Sequence, residues 1–563
     1  MPIRIQMRIS KVAVFSMFPL GLCMTLPSVG AEADGFIAAE TRVAIFDKVL
    51  SEIERIDGEG LPARKNRPKA WKTTIAELRS QARKAETNID FGQVFRRLDA
   101  TYPNLHAQVT LEGKYDIAAG RLRPKIAFKF GAEVIGPKQT KFNYKISSID
   151  TELIKDIKEV VRPALGDNLV AINGKSMSIW SNENFLYCKF PLRQQCEANI
   201  FDHFRKGVLS WDWRSPLTYT LERNGRTWEV KVPVELPNPN AMNPPSHDNK
   251  GDSDCPVEPD RYEGFKPVFQ GLNICVFESE TSPNVTVLRI ASFRYRDLPR
   301  ESKIQSLKDE VEQFNESYWK AKAPSTRKLI VDVLDNGGGD TPVAWYQLFY
   351  SKPFQEQYVQ FKKLMELEDD HIRKDLFYDD AAKEIWFSDL KMSGTYERVK
   401  LDAFLPTIPQ FCAHDDQSCD KGLYEPHKHR FKGKVRVMVN EWCISTCSGF
   451  VWSMKDQLGT RAKLVGFPDS GDTAYARLFL DVYLDSSSAN GFRLQVSPRP
   501  GRTRQNLPDG AILRQQVTAT RSTDSKGKVI SATPTKTDIW IPYRYRHYDD
   551  SWESLVFKAA LNN

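Results

Sequence analysis

A chain of 563 residues with 41% hydrophobic and 11% aromatic side chains has ample material for packed cores, which excludes a wholly disordered protein. At roughly 100–200 residues per domain it divides into about two to four domains. The formal charge of +8 comes from 80 basic and 72 acidic side chains of interspersed sign; with no concentrated basic face, nucleic-acid binding is not indicated.

Residues 1–31 read as an export signal. Arg4, Arg8 and Lys11 precede the apolar run Val12 to Leu26, and Val29-Gly-Ala31 ends on small residues. Cys23 follows Leu22 instead of a small residue, so cleavage near Ala31 is favoured over a lipid anchor. Loss of those three cations lowers the charge from +8 to +5. No later stretch is long and apolar enough to span a bilayer, so a periplasmic or secreted protein without stable membrane insertion is expected.

Residues 32–100 carry apolar side chains at helical intervals over Ile37–Ile56 and Trp71–Ala85. Near Ala107 the period changes to two, in Ala107–Leu111 and Lys125–Phe130. Gly166-Asp-Asn-Leu-Val-Ala-Ile-Asn-Gly174 reads as a turn, a short buried strand and an Asn-Gly turn, and Leu217–Val234 as a hairpin hinged at Asn224-Gly225. Residues 237–262, rich in Pro, Asn and Asp, read as a linker or exposed loop. Beyond it the strand Val285–Ile290, the amphipathic helix Ile304–Tyr318 and the apolar strand Lys328–Leu334 indicate an α/β core.

Eight cysteines remain after the signal, in local couples: Cys188 with Cys196, Cys255 with Cys275, Cys412 with Cys419, and Cys443 with Cys447. An oxidising compartment favours disulfides along these lines, although the last two couples could equally exchange partners. Cys412, His414, Asp415, Asp416, Cys419, His427 and His429 also offer metal ligands, but their spacing matches no standard zinc pattern. No metal or organic cofactor is expected.

Two segments carry the chemistry. Cys443-Ile-Ser-Thr-Cys-Ser-Gly-Phe450 joins the apolar run Val435–Asn440 to a helical stretch. A serine at such a junction, Ser445, is presented with its hydroxyl exposed beside the next backbone N–H, as in acyl-transfer enzymes; the plainer reading is a helix N-cap. Upstream, Leu329-Ile-Val-Asp-Val-Leu-Asp-Asn-Gly-Gly-Gly339 is a buried strand ending in a glycine turn that admits close backbone approach. It lacks the Gly-Lys-Ser/Thr ending of a phosphate loop.

The residues 166–174 and the 217–234 hairpin resemble a PDZ domain with a longer stretch between them, and PDZ domains capture peptides at a sheet edge. Leu329–Gly339, Val437–Asp456, Ala462-Lys-Leu-Val-Gly-Phe-Pro468, Leu507-Pro-Asp-Gly510 and Pro534–Ile539 together resemble the C-terminal-processing, or tail-specific, serine proteases. The resemblance implies an α/β protease core of crotonase/ClpP-like ββα units with an inserted β-rich PDZ-like domain and an N-terminal helical region. It divides the chain into the signal 1–31, a helical region and start of the core at 32–130, the PDZ-like domain 131–236, the linker 237–262 and the catalytic domain 263–563.

It also implies a polypeptide substrate, possible homo-oligomers and Ser445 as nucleophile, with Ser448 as runner-up. The oxyanion donors would be the N–H groups of Thr446 and a turn glycine, Gly338. Where many relatives carry a basic lysine this chain has Asp472, a feeble base toward serine. The tricorn-like branch instead uses a histidine ahead of the PDZ module, and Tyr102-Pro-Asn-Leu-His-Ala-Gln108 supplies His106 there. His203, His247, His371 and His547 lie outside matching motifs. Asp472 and Asp509 are the candidate orienting acids, and Gln515 or Gln516 could serve in their place. The rival expectation is an inactive relative that binds or scaffolds polypeptides.

Overall fold

The computed structural model describes residues 36–58, 68–115, 126–155, 161–205, 215–234, 261–293, 309–339, 343–354, 358–368, 393–409, 419–420, 423–473, 477–498, 507–544 and 552–563. The signal segment, nearly all of the linker, and the cysteines Cys255 and Cys412 with their expected pairings fall outside these residues.

A seven-stranded sheet runs in the order Ile539–Trp540, Ala462–Gly466, Lys434–Val439, Lys328–Asp332, Val285–Ile290, Ile274–Glu278 and Lys266–Gln270. The first five strands are parallel and the last two antiparallel. Lys328–Asp332 has parallel neighbours on either side, and its Leu329, Ile330 and Val331 are buried, the former two on opposite faces of the strand. Burial on both faces is why the run is continuously apolar. The helices Val343–Phe349 and Thr446–Leu458 pack together over one face, with the Tyr346 and Phe450 rings stacked at 5.7 Å. On the other face Val556 and Phe557 of the helix Trp552–Asn562 join a core with Ile330, Met438 and Val465.

A second, four-stranded antiparallel sheet is ordered Gln108–Leu111, Ala511–Thr518, Arg477–Leu484, Phe492–Pro498. The three helices Ala39–Ile56, Pro68–Lys84 and Asn88–Ala100 share their core with it, Ile45, Phe46 and Val49 clustering with Leu480, Val482 and Leu513. The last of these helices starts at a capping box between Thr87 and Asp90. Gln108 stands opposite Gln516 and Leu111 opposite Leu513. The segment that follows His106 is thereby fastened to a strand some 400 residues later in the chain.

The third sheet is antiparallel: Tyr543–Arg544, Phe128–Val134, Asn143–Ile149, Asn168–Ile172, Leu217–Arg223 and Arg226–Val232, with the short strand Lys175–Ser176 beside Asn168–Ile172. Asn224 and Gly225 both take left-handed φ, 51° and 76°, as the tight hairpin turn requires. The helix Arg193–Arg205 lies on Phe128–Val134, where the Phe201 ring meets Phe130 at 4.8 Å and Tyr144 at 5.7 Å. Two expected elements shift: the strand sought at Lys125–Phe130 is Phe128–Val134, and the helix expected to end at Tyr318 continues through a π-turn at Asn315–Trp319.

At the end of the middle strand Asp332 is fully buried. Arg261 at 2.9 Å, Arg289 at 3.2 Å and the Tyr262 hydroxyl share its Oδ2, and Oδ1 accepts the Leu334 N–H at 2.8 Å. Burial alone would raise this carboxyl, but the two arginines and the hydrogen bonds outweigh it and hold it below its ordinary value. Its stabilising contribution is therefore present above the unfolded carboxyl pKa of 3.8 and is lost as pH falls below it. Asp332→Ala, which leaves the buried Arg289 guanidinium unpaired and Arg261 with Glu553 as its remaining carboxylate partner, is expected to cost about 3–5 kcal/mol in chemical denaturation at neutral pH. A smaller loss toward acid, as the wild type also gives up the ionised form, is the accompanying signature.

Candidate active site

Ser445 stands at the N-cap position of the helix Thr446–Leu458, yet its side chain makes no capping hydrogen bond. Its backbone is at φ 60°, ψ −124°, a region that disfavours any residue with a Cβ. A half-buried serine bent this way with its hydroxyl uncommitted has the geometry of a nucleophile elbow, not of a cap. The bend is braced on every side. Cys443 and Cys447 are disulfide-bonded across it; the Ile444 N–H donates to Asn336 O at 3.1 Å; and the Ser445 N–H donates to Asp472 O at 2.7 Å.

The glycine turn lies directly against this elbow. A Cβ on Gly338, at φ 82°, would fall 2.4 Å from Ile444 O, 2.8 Å from Ser445 Cβ and 2.9 Å from Thr446 N. Only a bare Cα leaves the Thr446 N–H uncovered, and that group, at the first helical position, has no intrahelical acceptor. The Gly338 N–H, expected as the second oxyanion donor, is instead committed to Asn336 Oδ1 at 2.9 Å, so Gly338 contributes open space rather than a hydrogen bond. Asn440 stitches the two loops, its Oδ1 accepting from Asp335 N at 3.0 Å and from Trp442 N at 3.2 Å.

The histidine arrives from the loop between the helix Asn88–Ala100 and the strand Gln108–Leu111. Asn104 Oδ1 accepts the N–H groups of His106 at 2.9 Å and Ala107 at 3.1 Å, and Gln516 Nε2 donates to His106 O. His106 Nδ1 lies 2.5 Å from Asp472 Oδ1, while Asp472 Oδ2 accepts the N–H groups of Leu105 at 2.5 Å and His106 at 3.1 Å. With Nδ1 protonated toward this carboxylate, Nε2 keeps its lone pair. Asp472 is buried and the imidazole nearly so.

Of the two candidate acids, Asp472 takes the ring; Asp509 is in an exposed turn. Gln515 is turned to Asp99 at 2.9 Å, and Gln516 supports the histidine backbone. Ser448 is buried, donating to Cys443 O at 2.8 Å and meeting Ser470 Oγ at 2.9 Å, which commits it to structure. Among the described residues no group of three or more His, Cys, Asp or Glu side chains is arranged to hold a metal; Cys412, His414, Asp415 and Asp416 lie outside them.

A second acid was not singled out from sequence. Asp469, fully buried, anchors the loop that carries Asp472: its Oδ1 accepts the Gly471 N–H at 2.7 Å and its Oδ2 the Thr535 N–H at 3.2 Å. Burial pushes this carboxyl up to about 7, against hydrogen bonds from Thr535, Gly471 and Ser448 that favour the ionised form.

Residues 284–480 match peptidase family S41. No curated protein sequence matches the chain. Among solved structures it is similar to mature CPAF, with a TM-score of 0.52 and 14% identity over 93% of this chain and 98% of that one. CPAF complexed with lactacystin gives 0.52 and 14% over 93% and 99%. The photosystem II D1 C-terminal processing protease overlaps less closely, with a TM-score of 0.32 and 11% identity over 90% and 93%. At these identities the CPAF likeness establishes the shared fold.

Two measurements test the geometry of the site. Ser445→Gly relieves the elbow and is expected to raise unfolding stability by roughly 1 kcal/mol, strain relief exceeding glycine's entropic cost; a merely capping serine would give no gain. For Asp469 the folded pKa of about 7 exceeds the unfolded 3.8, so its stabilising contribution is full below 3.8 and is lost as pH rises through about 7. In Asp469→Asn the fall in thermal midpoint across that window is expected to flatten, by the equivalent of a few kcal/mol at about 1.4 kcal/mol per pKa unit.

Proposed function

We propose that this chain, a serine-type peptidase of family S41 by its residues 284–480, is an endopeptidase whose Ser445, His106 and Asp472 form the catalytic set. The observation that carries the reading is the uncapped, strained Ser445 whose N–H rests on the carbonyl of Asp472, the same residue whose carboxylate holds His106 Nδ1. Ser445 Oγ attacks the peptide carbonyl and His106 Nε2 takes its proton. The carbonyl oxygen becomes an oxyanion beside the Thr446 N–H, in space that Gly338 leaves open. Collapse breaks the C–N bond, and His106 returns its proton to the departing amine. Water, deprotonated by His106, then hydrolyses the acyl-enzyme and restores the serine. Asp472 keeps the ring in the tautomer that leaves Nε2 free and stabilises the imidazolium. No step calls on a metal or organic cofactor.

The segment 131–236 is read as a PDZ-like domain that presents or gates polypeptide. Its Asn173-Gly174 and Asn224-Gly225 turns and the helix over Phe128–Val134 support that reading. The edge of Phe128–Val134 is already paired at Glu133 and Val134 by Arg544 and Tyr543, so a peptide added there would have to share or displace that strand. Export is supported by the N-terminal charge and hydropathy pattern and by disulfide-bonded Cys188–Cys196 and Cys443–Cys447. Among the described residues no helix is long and apolar enough to cross a membrane.

A fluorophosphonate probe tests the catalytic set. The wild type is expected to be labelled, Ser445→Ala not at all. His106→Ala and Asp472→Asn are expected to be labelled slower by on the order of 10³–10⁴-fold, the Asn amide favouring the wrong imidazole tautomer. Labelling undiminished in Ser445→Ala would remove the assignment.

A further inference from the structure

The three pieces of the proposed site come from remote parts of the chain: the His106 loop, the loop before Ser445, and the loop Phe467–Thr473 that carries Asp472. All three converge on one further segment that the chemistry does not use, the loop from Cys188 to Cys196, closed by a disulfide between its ends. Cys188, Phe190 and Cys196 form a small apolar cluster with Leu105 and Trp442 packed against it. Leu105 immediately precedes His106, and Trp442 lies three residues before Ser445; the Phe190 and Trp442 rings meet edge-on at 5.6 Å.

Polar ties lock the same contacts. Lys189 Nζ donates to Ala107 O at 2.6 Å, one residue beyond the histidine, and pairs with Asp99 at 2.6 Å. Gln195, with 0% of its surface exposed, donates Nε2 to Asp469 O at 2.6 Å and Pro468 O at 3.1 Å. Its Oε1 accepts the Leu192 N–H at 3.2 Å, which fixes the amide's orientation. One turn later Asn199 Nδ2 donates to Glu441 Oε1 at 3.1 Å, and Glu441 Oε2 accepts from the Tyr543 hydroxyl at 2.6 Å.

We propose that the disulfide-closed loop Cys188–Cys196 is the clamp that brings the histidine, serine and acid loops into register, with Lys189 and Gln195 as positioning residues. The proposal rests on the reading of Ser445, His106 and Asp472 as the catalytic set. Reactivity of such a set falls steeply when its members move by fractions of an ångström, so groups that only hold loops in register control the rate. Lys189 sets the height of the histidine backbone, and Gln195 sets that of the acid loop. The disulfide keeps the two a constant distance apart, because it ties the residue before Lys189 to the residue after Gln195.

The test uses the full chain, a fluorophosphonate as probe, and separate measurement of its inactivation rate constant and apparent affinity. Lys189→Met keeps the aliphatic stem and loses both polar ties. Gln195→Glu sets a carboxyl against two carbonyl oxygens, so that it donates only when protonated. Both variants are expected to lower the rate constant about 10- to 100-fold with apparent affinity within about twofold of wild type. Lys189→Arg is expected to recover most of the loss. The Gln195→Glu rate is further expected to fall as pH rises, relative to wild type, a response that a merely structural glutamine would not give. Lys175→Met, which breaks an exposed pair with Glu183 in the same sheet region, is the control and is expected to react like wild type. Thermal unfolding of each variant defines the temperature at which it is folded. Wild-type rate constants in folded Lys189→Met and Gln195→Glu would overturn the clamp while leaving the catalytic set standing. Ser445→Ala labelled as fast as wild type would overturn both.

Discussion

Asp472 holds the site together through two of its own groups. Its main-chain oxygen takes the N–H of Ser445 and its carboxylate takes the imidazole of His106 together with the N–H groups of Leu105 and His106. A single residue therefore ties an N-terminal loop to the elbow at the start of a helix hundreds of residues later. Because the carboxylate is buried, each of these hydrogen bonds is made in a medium of low dielectric, where it is stronger and its loss more costly than at the surface.

The surrounding fold makes that junction rigid. Ser445 occupies a backbone conformation that would relax in an isolated peptide. It persists because the Cys443–Cys447 disulfide, the Asn336 and Asn440 cross-links and the carbonyl of Asp472 over-determine the bend. Behind it, the middle strand of the parallel sheet ends in the buried Asp332 cluster, so the glycine turn starts from a fixed point. The histidine is held as firmly by different means, its strand paired to Ala511–Thr518 and its loop built around Asn104. The capping role that a serine ordinarily plays at a helix start is given up, leaving the hydroxyl available for other work.

Local patterns made part of this legible. An apolar strand, a short Cys- and Ser-rich link and a helical run mark Ser445 because the strand–turn–helix junction is written in consecutive residues. The Asn-Gly turns of the third sheet are equally local. His106 is marked only by its order ahead of that sheet, and Asp472 shares candidacy with Asp509 because one stands at the position of the relatives' lysine and the other in the Leu507-Pro-Asp-Gly510 motif. What separates the two aspartates is burial and reach, one buried beside the imidazole and the other exposed. Asp469, Lys189 and Gln195 gave no signal. A glutamine that donates to two carbonyls of a distant loop looks in sequence like any polar residue near a helix start.

The amino-acid order alone determined most of the elements, the strand–turn–helix junction at Ser445 and the glycine turn after Lys328–Asp332, since each depends on neighbours a few positions away; the strain of the serine and the packing of the glycine turn against it came only with the tertiary structure. Which histidine meets which acid was decided only when Gln108–Leu111 paired with Ala511–Thr518 and the Cys188–Cys196 loop closed against three remote segments. Contacts of that range are chosen by sheet register and by burial of whole surfaces, quantities that no short window of residues contains.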